Sequence, residues 1–202
     1  MCTFFVFADI CTRDTDQKLC LHYYSRVAFA SLLAPLFRRG PDADSRVLSV
    51  LSAGVHSPYL AYATDPDLSK TYSLHNAADA AGFYTDIAMD SLSRSWPNVS
   101  FIHAAPGFVS TAWGTEMPFW LRWPIRLLQP MFGVSIEHCA QQMGVALFGE
   151  AYRAPGFHLM SADANVAAPT TLHEEAREIV WKNTNDVLTR VLGAQVIDIK
   201  PV

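Results

Sequence analysis

Apolar residues along this chain recur at two periods, and their alternation orders the elements before any chemistry is considered. From Leu19 to Phe37 they fall at Leu21, Tyr24, Val27, Ala28, Leu32 and Leu36, the spacing of an amphipathic helix. Asp14-Thr15-Asp16 precedes it as a capping signal, and Arg38-Arg39-Gly40-Pro41 stops it. Arg46 to Leu51 has the composition of a short buried strand of the parallel type. Ala53 to Ser69, with Gly54, Pro58, Thr64, Asp65, Pro66 and Asp67, reads as a loop. The alanine-rich stretch after it predicts a helix from Ser69 to Trp96, ended by Pro97-Asn98. Val99 to His103 predicts a second buried strand, closed by Ala105-Pro106-Gly107. Strand, helix and strand at this spacing make a right-handed parallel crossover, hence an α/β sheet.

The pattern then breaks. Trp113 to Phe132 is rich in aromatics and carries Pro118, Pro124 and Pro130 at even intervals, which no regular element of ordinary length accommodates. Periodicity returns in a short helix over Ser135 to Phe148, a third strand over Phe157 to Met160, and a last amphipathic helix over Leu172 to Leu192. That helix has Glu174 and Glu175 in its first turn and Arg190 in its last, the order its dipole favours. An irregular stretch over 1–17 and a single domain over 18–202 follow from this.

Composition narrows the classes. The chain has 202 residues, half of them hydrophobic and 17% charged, enough to bury the core of one domain. A net charge of −4, with no basic stripe, excludes a general nucleic-acid binder. Cys2, Cys11, Cys20 and Cys139 show neither a CxxC pair nor a Cys/His ligand spacing, so no metal site is expected and the reduced state is the default. The apolar run Met1–Ala8 is too short for a signal or a span, and reads as a buried strand or a stretch outside the fold. A cytoplasmic protein is the expectation.

Candidate chemistry lies at three points. Ser52 ends the first strand, where α/β sheets place ligands and a fixed hydroxyl can hold a carbonyl oxygen. Tyr72 follows about twenty residues later, with Asn76 one helical turn beyond it. Pro106-Gly107-Phe108-Val109-Ser110-Thr111 is a turn after the second strand, able to approach a flat ring closely.

From about Lys18 to Leu159 these features resemble the carboxyl-terminal two-thirds of a short-chain dehydrogenase/reductase. His22-Tyr23-Tyr24-Ser25-Arg26 and Asn76 to Tyr84 are similar to a divergent fungal branch often found among secondary-metabolite genes. The resemblance implies a Rossmann-like parallel sheet flanked by helices, an NAD(P) cofactor, and interconversion of a hydroxyl and a carbonyl on a metabolite. It gives Ser52 the substrate oxygen and Tyr72 the proton transfer. His22 falls where the family carries its relay asparagine. Pro106, Gly107, Val109 and Thr111 would meet the nicotinamide. The segment from Trp113 to Met131 occupies the place of the substrate lid, and Trp113, Phe119, Trp120 and Trp123 suit a small apolar or aromatic metabolite. A membrane-surface patch, with Arg122 and Arg126 flanking the aromatics, is the weaker reading.

Two departures stand out. The family's lysine is replaced by Asn76. A phenol titrates near 10, so Tyr72 needs a cation beside it to work near neutrality, and Asn76 supplies none. His75 is offset by about 100° around the helix. The Gly-rich cofactor half also has no counterpart, since no glycine precedes Gly40. The fold is therefore read as a truncated one. Two alternatives to the reductase stay open. One is a non-catalytic paralogue pairing, as homo- or heterodimer, through the helices starting near Lys18 and Ser69. The other is a cofactor-independent isomerase or dehydratase using Tyr72, His22 and His75.

Overall fold

Asp16 opens the first helix, its carboxylate accepting the backbone N–H of Lys18 (2.9 Å) and Leu19 (3.0 Å). The computed structural model describes residues 16–37, 44–111, 118, 120, 123–124 and 133–192. The readings of Met1–Ala8 and of most of the aromatic stretch, including Trp113, Phe119, Arg122 and Arg126, lie outside those residues. Helix α1 runs through three pieces, α-helical Gln17–Leu19, π-helical Cys20–Tyr24 and α-helical Ser25–Leu33, and closes in a 3-10 turn at Ala34–Leu36. The wide π turn buries both Tyr23 and Tyr24, adjacent residues that a regular helix would splay by about 100°.

The sheet is built from β1 (Ser45–Val50), β2 (Val99–Ala104), β3 (Gly156–Met160) and β4 (Val166–Ala167), in that spatial order. β1 and β3 run parallel to β2, with Val50 opposite Ala104 and Ala104 opposite Met160. The short β4 pairs antiparallel with β3 at the edge of this otherwise parallel sheet. The strand is only two residues long, too short to leave a periodic signature.

Alternation along β2 divides the core. Phe101 and His103 point to one face and Ile102 and Ala104 to the other, as the pleat demands. Helix α2 (Leu74–Ser95) covers the first face, with α1 and α4 (Thr171–Leu192) packed on it in turn. Tyr23, Tyr24, Ala80, Tyr84, Val180 and Leu188 fill that layer. Helix α3 (Ile136–Phe148) covers the second face, where Ala146 packs with Ile102 and Met160. The result is an α/β Rossmann-like arrangement, a mostly parallel open sheet flanked by helices.

The start of α2 departs from expectation. Asp65 is buried, and its carboxylate accepts the N–H of Lys70 (3.0 Å) and Thr71 (2.8 Å) and the hydroxyls of Ser69 and Thr71, both at 2.9 Å. Residues 65–71 are thereby wound about one side chain, so helix cannot begin at Ser69. It begins after Ser73, whose hydroxyl accepts the Asn76 N–H at 3.0 Å. Among the described residues Cys139 is a free thiol. Among the described residues no helix is long and apolar enough to cross a membrane.

Candidate active site at the carboxyl edge of the sheet

Because β1 and β2 are parallel neighbours, their carboxyl ends open on one edge. The Leu51 N–H reaches back to the Ala104 carbonyl (2.9 Å), and the Ala105 N–H to the Met160 carbonyl (2.9 Å). Ser52 and the Pro106 turn are thus brought to the same side of the sheet. Gly107 sits at φ +71°, and a Cβ there would press on Ala162 at 3.1 Å, so the glycine serves both the turn and a close approach. Val109 bridges Val134, and the Thr111 N–H closes on the Val109 carbonyl at 2.9 Å.

Tyr72 precedes the cap of α2 rather than lying on the helix, is half exposed (51%), and makes no hydrogen bond among the described residues. Asn76 donates through Nδ2 to the Thr71 carbonyl (2.6 Å) and so closes the loop before the helix. His22 lies in the π turn of α1. Burial, with Arg26 and Lys18 nearby, lowers its pKa from the ordinary 6.5, so it is a neutral proton acceptor at pH 7. Arg26, one turn on, donates to the Val50 carbonyl (2.8 Å) and pins α1 against β1. Trp120 and Trp123 of the aromatic stretch are both exposed.

What surrounds Ser52 instead is a string of histidines and carboxylates along one face of α2. His75, Asp79, Gly82 and Asp86 succeed one another there at helical spacing. Gly82 leaves room for Ser52: a Cβ at that position would lie 2.8 Å from Ser52 Oγ and 3.5 Å from His56 Cδ2. On one side of this point the buried Asp79 has His56 Nδ1 at 3.6 Å from Oδ1 and His75 Nε2 at 3.3 Å from Oδ2. On the other, Asp86 receives the fully buried His103 through Nδ1 and His173 through Nε2 (3.1 Å).

The donors assign the tautomers. The Ser52 N–H donates to His103 Nε2 (3.1 Å), so His103 carries its proton on Nδ1, towards Asp86. The Thr170 N–H donates to His173 Nδ1 (3.0 Å), so His173 offers Nε2–H to the same carboxylate. Burial pushes the Asp86 pKa up, but the bonds and charges of His103 and His173 outweigh it and hold the carboxyl below the usual range. The backbone of Ser52 is therefore tied through His103 and Asp86 to α2 and α4. Asp79 is less complete, since its buried Oδ1 has no hydrogen-bond partner.

His56, Asp79, Asp86, His103 and His173 were not singled out by sequence reasoning. The one available signal was the seven-residue interval between Asp79 and Asp86 on a single helix. Among the described residues no group of three or more His, Cys, Asp or Glu is arranged to hold a metal ion.

No family model matches the chain. An oxidoreductase of Emericella nidulans is 40% identical over 96 residues, which is 48% of this chain and 28% of that protein. An NmrA-like family domain-containing oxidoreductase of an Aspergillus species (notO) is 30% identical over 96 residues, again 48% of this chain and 28% of the relative. An oxidoreductase of Aspergillus flavus (lepF) is 32% identical over 105 residues, 48% of this chain and 29% of its own. The matched stretch thus spans less than a third of these curated relatives.

Proposed function

We propose that the chain is a module of an NAD(P)-dependent oxidoreductase of the short-chain dehydrogenase/reductase type, interconverting a hydroxyl and a carbonyl on an apolar or aromatic metabolite. The observation that carries this reading is the meeting of Ser52 and the Pro106–Thr111 turn on one carboxyl edge. Relatives named as oxidoreductases lend it weight. In fungal secondary metabolism such a step would install or remove a ketone.

The described residues fit one end of the cofactor only. The Pro106-Gly107 turn offers exposed backbone beside Ser52, suited to a nicotinamide ring. No described strand leads through a Gly-rich turn into a helix N-terminus, so the described residues offer a diphosphate no cradle of that kind. The long loop from Leu51 to Ser73 contributes Gly54 alone. A bound nicotinamide would give hydride to, or accept it from, the carbon that bears the reacting oxygen. Ser52 would orient that oxygen by hydrogen bonding, its backbone kept in place by His103.

The test compares NADPH with reduced nicotinamide mononucleotide by fluorescence titration. A chain that grips only the nicotinamide binds both with similar, weak affinity. Binding of neither at millimolar concentration removes the reading.

A second reading, acid–base catalysis without the cofactor, is favoured by the histidines and carboxylates around Ser52. It requires that turnover of an isomerisable ketone proceed in the absence of NAD(P)H.

A further inference from the structure

We propose that His56, oriented by Asp79, is the acid–base group of the Ser52 cleft, in the role that the tyrosine and lysine fill in the reductases this chain resembles. The proposal rests on the reading that the reacting oxygen sits at Ser52, but its test does not.

Three observations lead to it. First, the position one turn beyond the phenol that the resemblance would use holds Asn76 in place of a lysine, and Asn76 is engaged with the Thr71 carbonyl, while Tyr72 precedes the helix. Secondly, Gly82 brings Ser52 and His56 onto one patch of α2. The same virtual Cβ that meets Ser52 Oγ at 2.8 Å meets His56 at 3.5 and 3.7 Å. Any larger residue at 82 would part them. Thirdly, Asp79 Oδ1 is buried without a hydrogen-bond partner, a costly state that one donor would relieve. His56 Nδ1 lies 3.6 Å from that atom.

A small rotation of the imidazole completes the bond from Nδ1–H to Oδ1. This leaves Nε2 as the nitrogen for a ligand, on a side chain that is about one-third exposed (34%). A carboxylate behind one imidazole nitrogen fixes the tautomer and the orientation of the ring. In the alcohol-forming direction, as hydride supplied by a bound reduced nicotinamide adds to the carbon and the C=O π bond opens, the protonated Nε2 would give its proton to the substrate oxygen and the neutral imidazole would remain. In the reverse direction Nε2 takes the hydroxyl proton. His75, 79% exposed on the far side of Asp79, holds the second carboxylate oxygen and leads to solvent, from which the proton is replaced.

The test reads the tautomer directly by ¹⁵N NMR of the histidines in the full chain. The expected state for neutral His56 is Nδ1–H, the reverse of the form free imidazole side chains prefer in water. Asp79→Asn should reverse it. Carbethoxylation of His56 by diethyl pyrocarbonate, read by mass spectrometry, should slow about tenfold in the same variant, the factor one charge-assisted hydrogen bond is worth. An Nε2–H tautomer in the unaltered chain overturns the proposal, and that measurement needs no variant to fold. Carbethoxylation unchanged by Asp79→Asn in a folded protein overturns it as well. Failure of NADPH to bind would remove the reductase reading and leave this result standing.

Discussion

At the residue scale, the site depends on Gly82 as much as on any side chain with chemistry. Replacing it by alanine puts a methyl 2.8 Å from Ser52 Oγ, closer than two such atoms can sit. The serine hydroxyl is a single-bond rotor, so it swings aside rather than forcing the backbone apart. Gain in helix propensity, up to about 1 kcal/mol, offsets the crowding. Gly82→Ala should therefore shift the melting temperature by only a few degrees, yet move the Cβ resonance of Ser52 to that of another rotamer. If Ser52 holds the reacting oxygen, turnover falls about a hundredfold. A serine whose resonance stays put would show that the hydroxyl does not rest on α2.

The same residues show what was readable in advance. Ser52 was placed at a strand end because the strand signal and the Gly54 turn are local. His103 was visible only as the end of a strand, and Asp86 as one polar residue of a helix. Their pairing with each other and with His173 joins residues 17 and 87 positions apart, which no periodicity encodes. The position of Tyr72 is illegible for a related reason. A motif fixes spacing along the chain, but whether the tyrosine lies on the helix depends on where Asp65 lets the helix begin.

At the element scale, Asp65 controls the loop that delivers α2. Burial raises its pKa, but four hydrogen bonds win and bring it down to about 2. In the unfolded chain the same carboxyl titrates near 3.9. Between those values the unfolded state binds more protons, so acid favours unfolding there. The stabilisation Asp65 provides is complete above about pH 4 and is lost as pH falls through 2. Urea midpoints measured from pH 5 to pH 2 should decline, and Asp65→Asn should flatten part of that decline while lowering the plateau. An unchanged slope would mean that the carboxylate does not organise residues 65–71.

Most element boundaries were legible to within a residue or two, because Ser135 and Asp16 are caps with local signatures and the strands are bounded by turns. The exceptions have physical causes. The π turn of α1 is a response to packing two neighbouring tyrosines, an influence from α2 and α4 that α1 does not announce. β4 exists because β3 offers it an edge.

At the scale of the whole molecule, α2 is the pivot, buried without interruption from Asp79 to Met89. A helix covered on all sides needs all its neighbours, and α4 is the one furthest away in sequence. It supplies Val180, Val187 and Leu188 to the core, a hydrogen bond between Thr184 and Tyr23 (2.6 Å), the His173 contact to Asp86 and the Arg177 contact to Asp90 (2.7 Å). Removing it would uncover Tyr23, Tyr24 and Tyr84 and leave Asp86 with a single histidine. A chain ended at Pro169 should then lose its cooperative thermal transition. The milder Leu188→Ala variant, which opens a cavity at a fully buried position, should cost about 2–4 kcal/mol and keep a two-state melt. Circular dichroism on both distinguishes a fold closed by α4 from a sheet and α2 that stand alone. A cooperative melt in the shortened chain near that of the full one would make α4 an accessory, and with it the histidine that completes the Asp86 cluster.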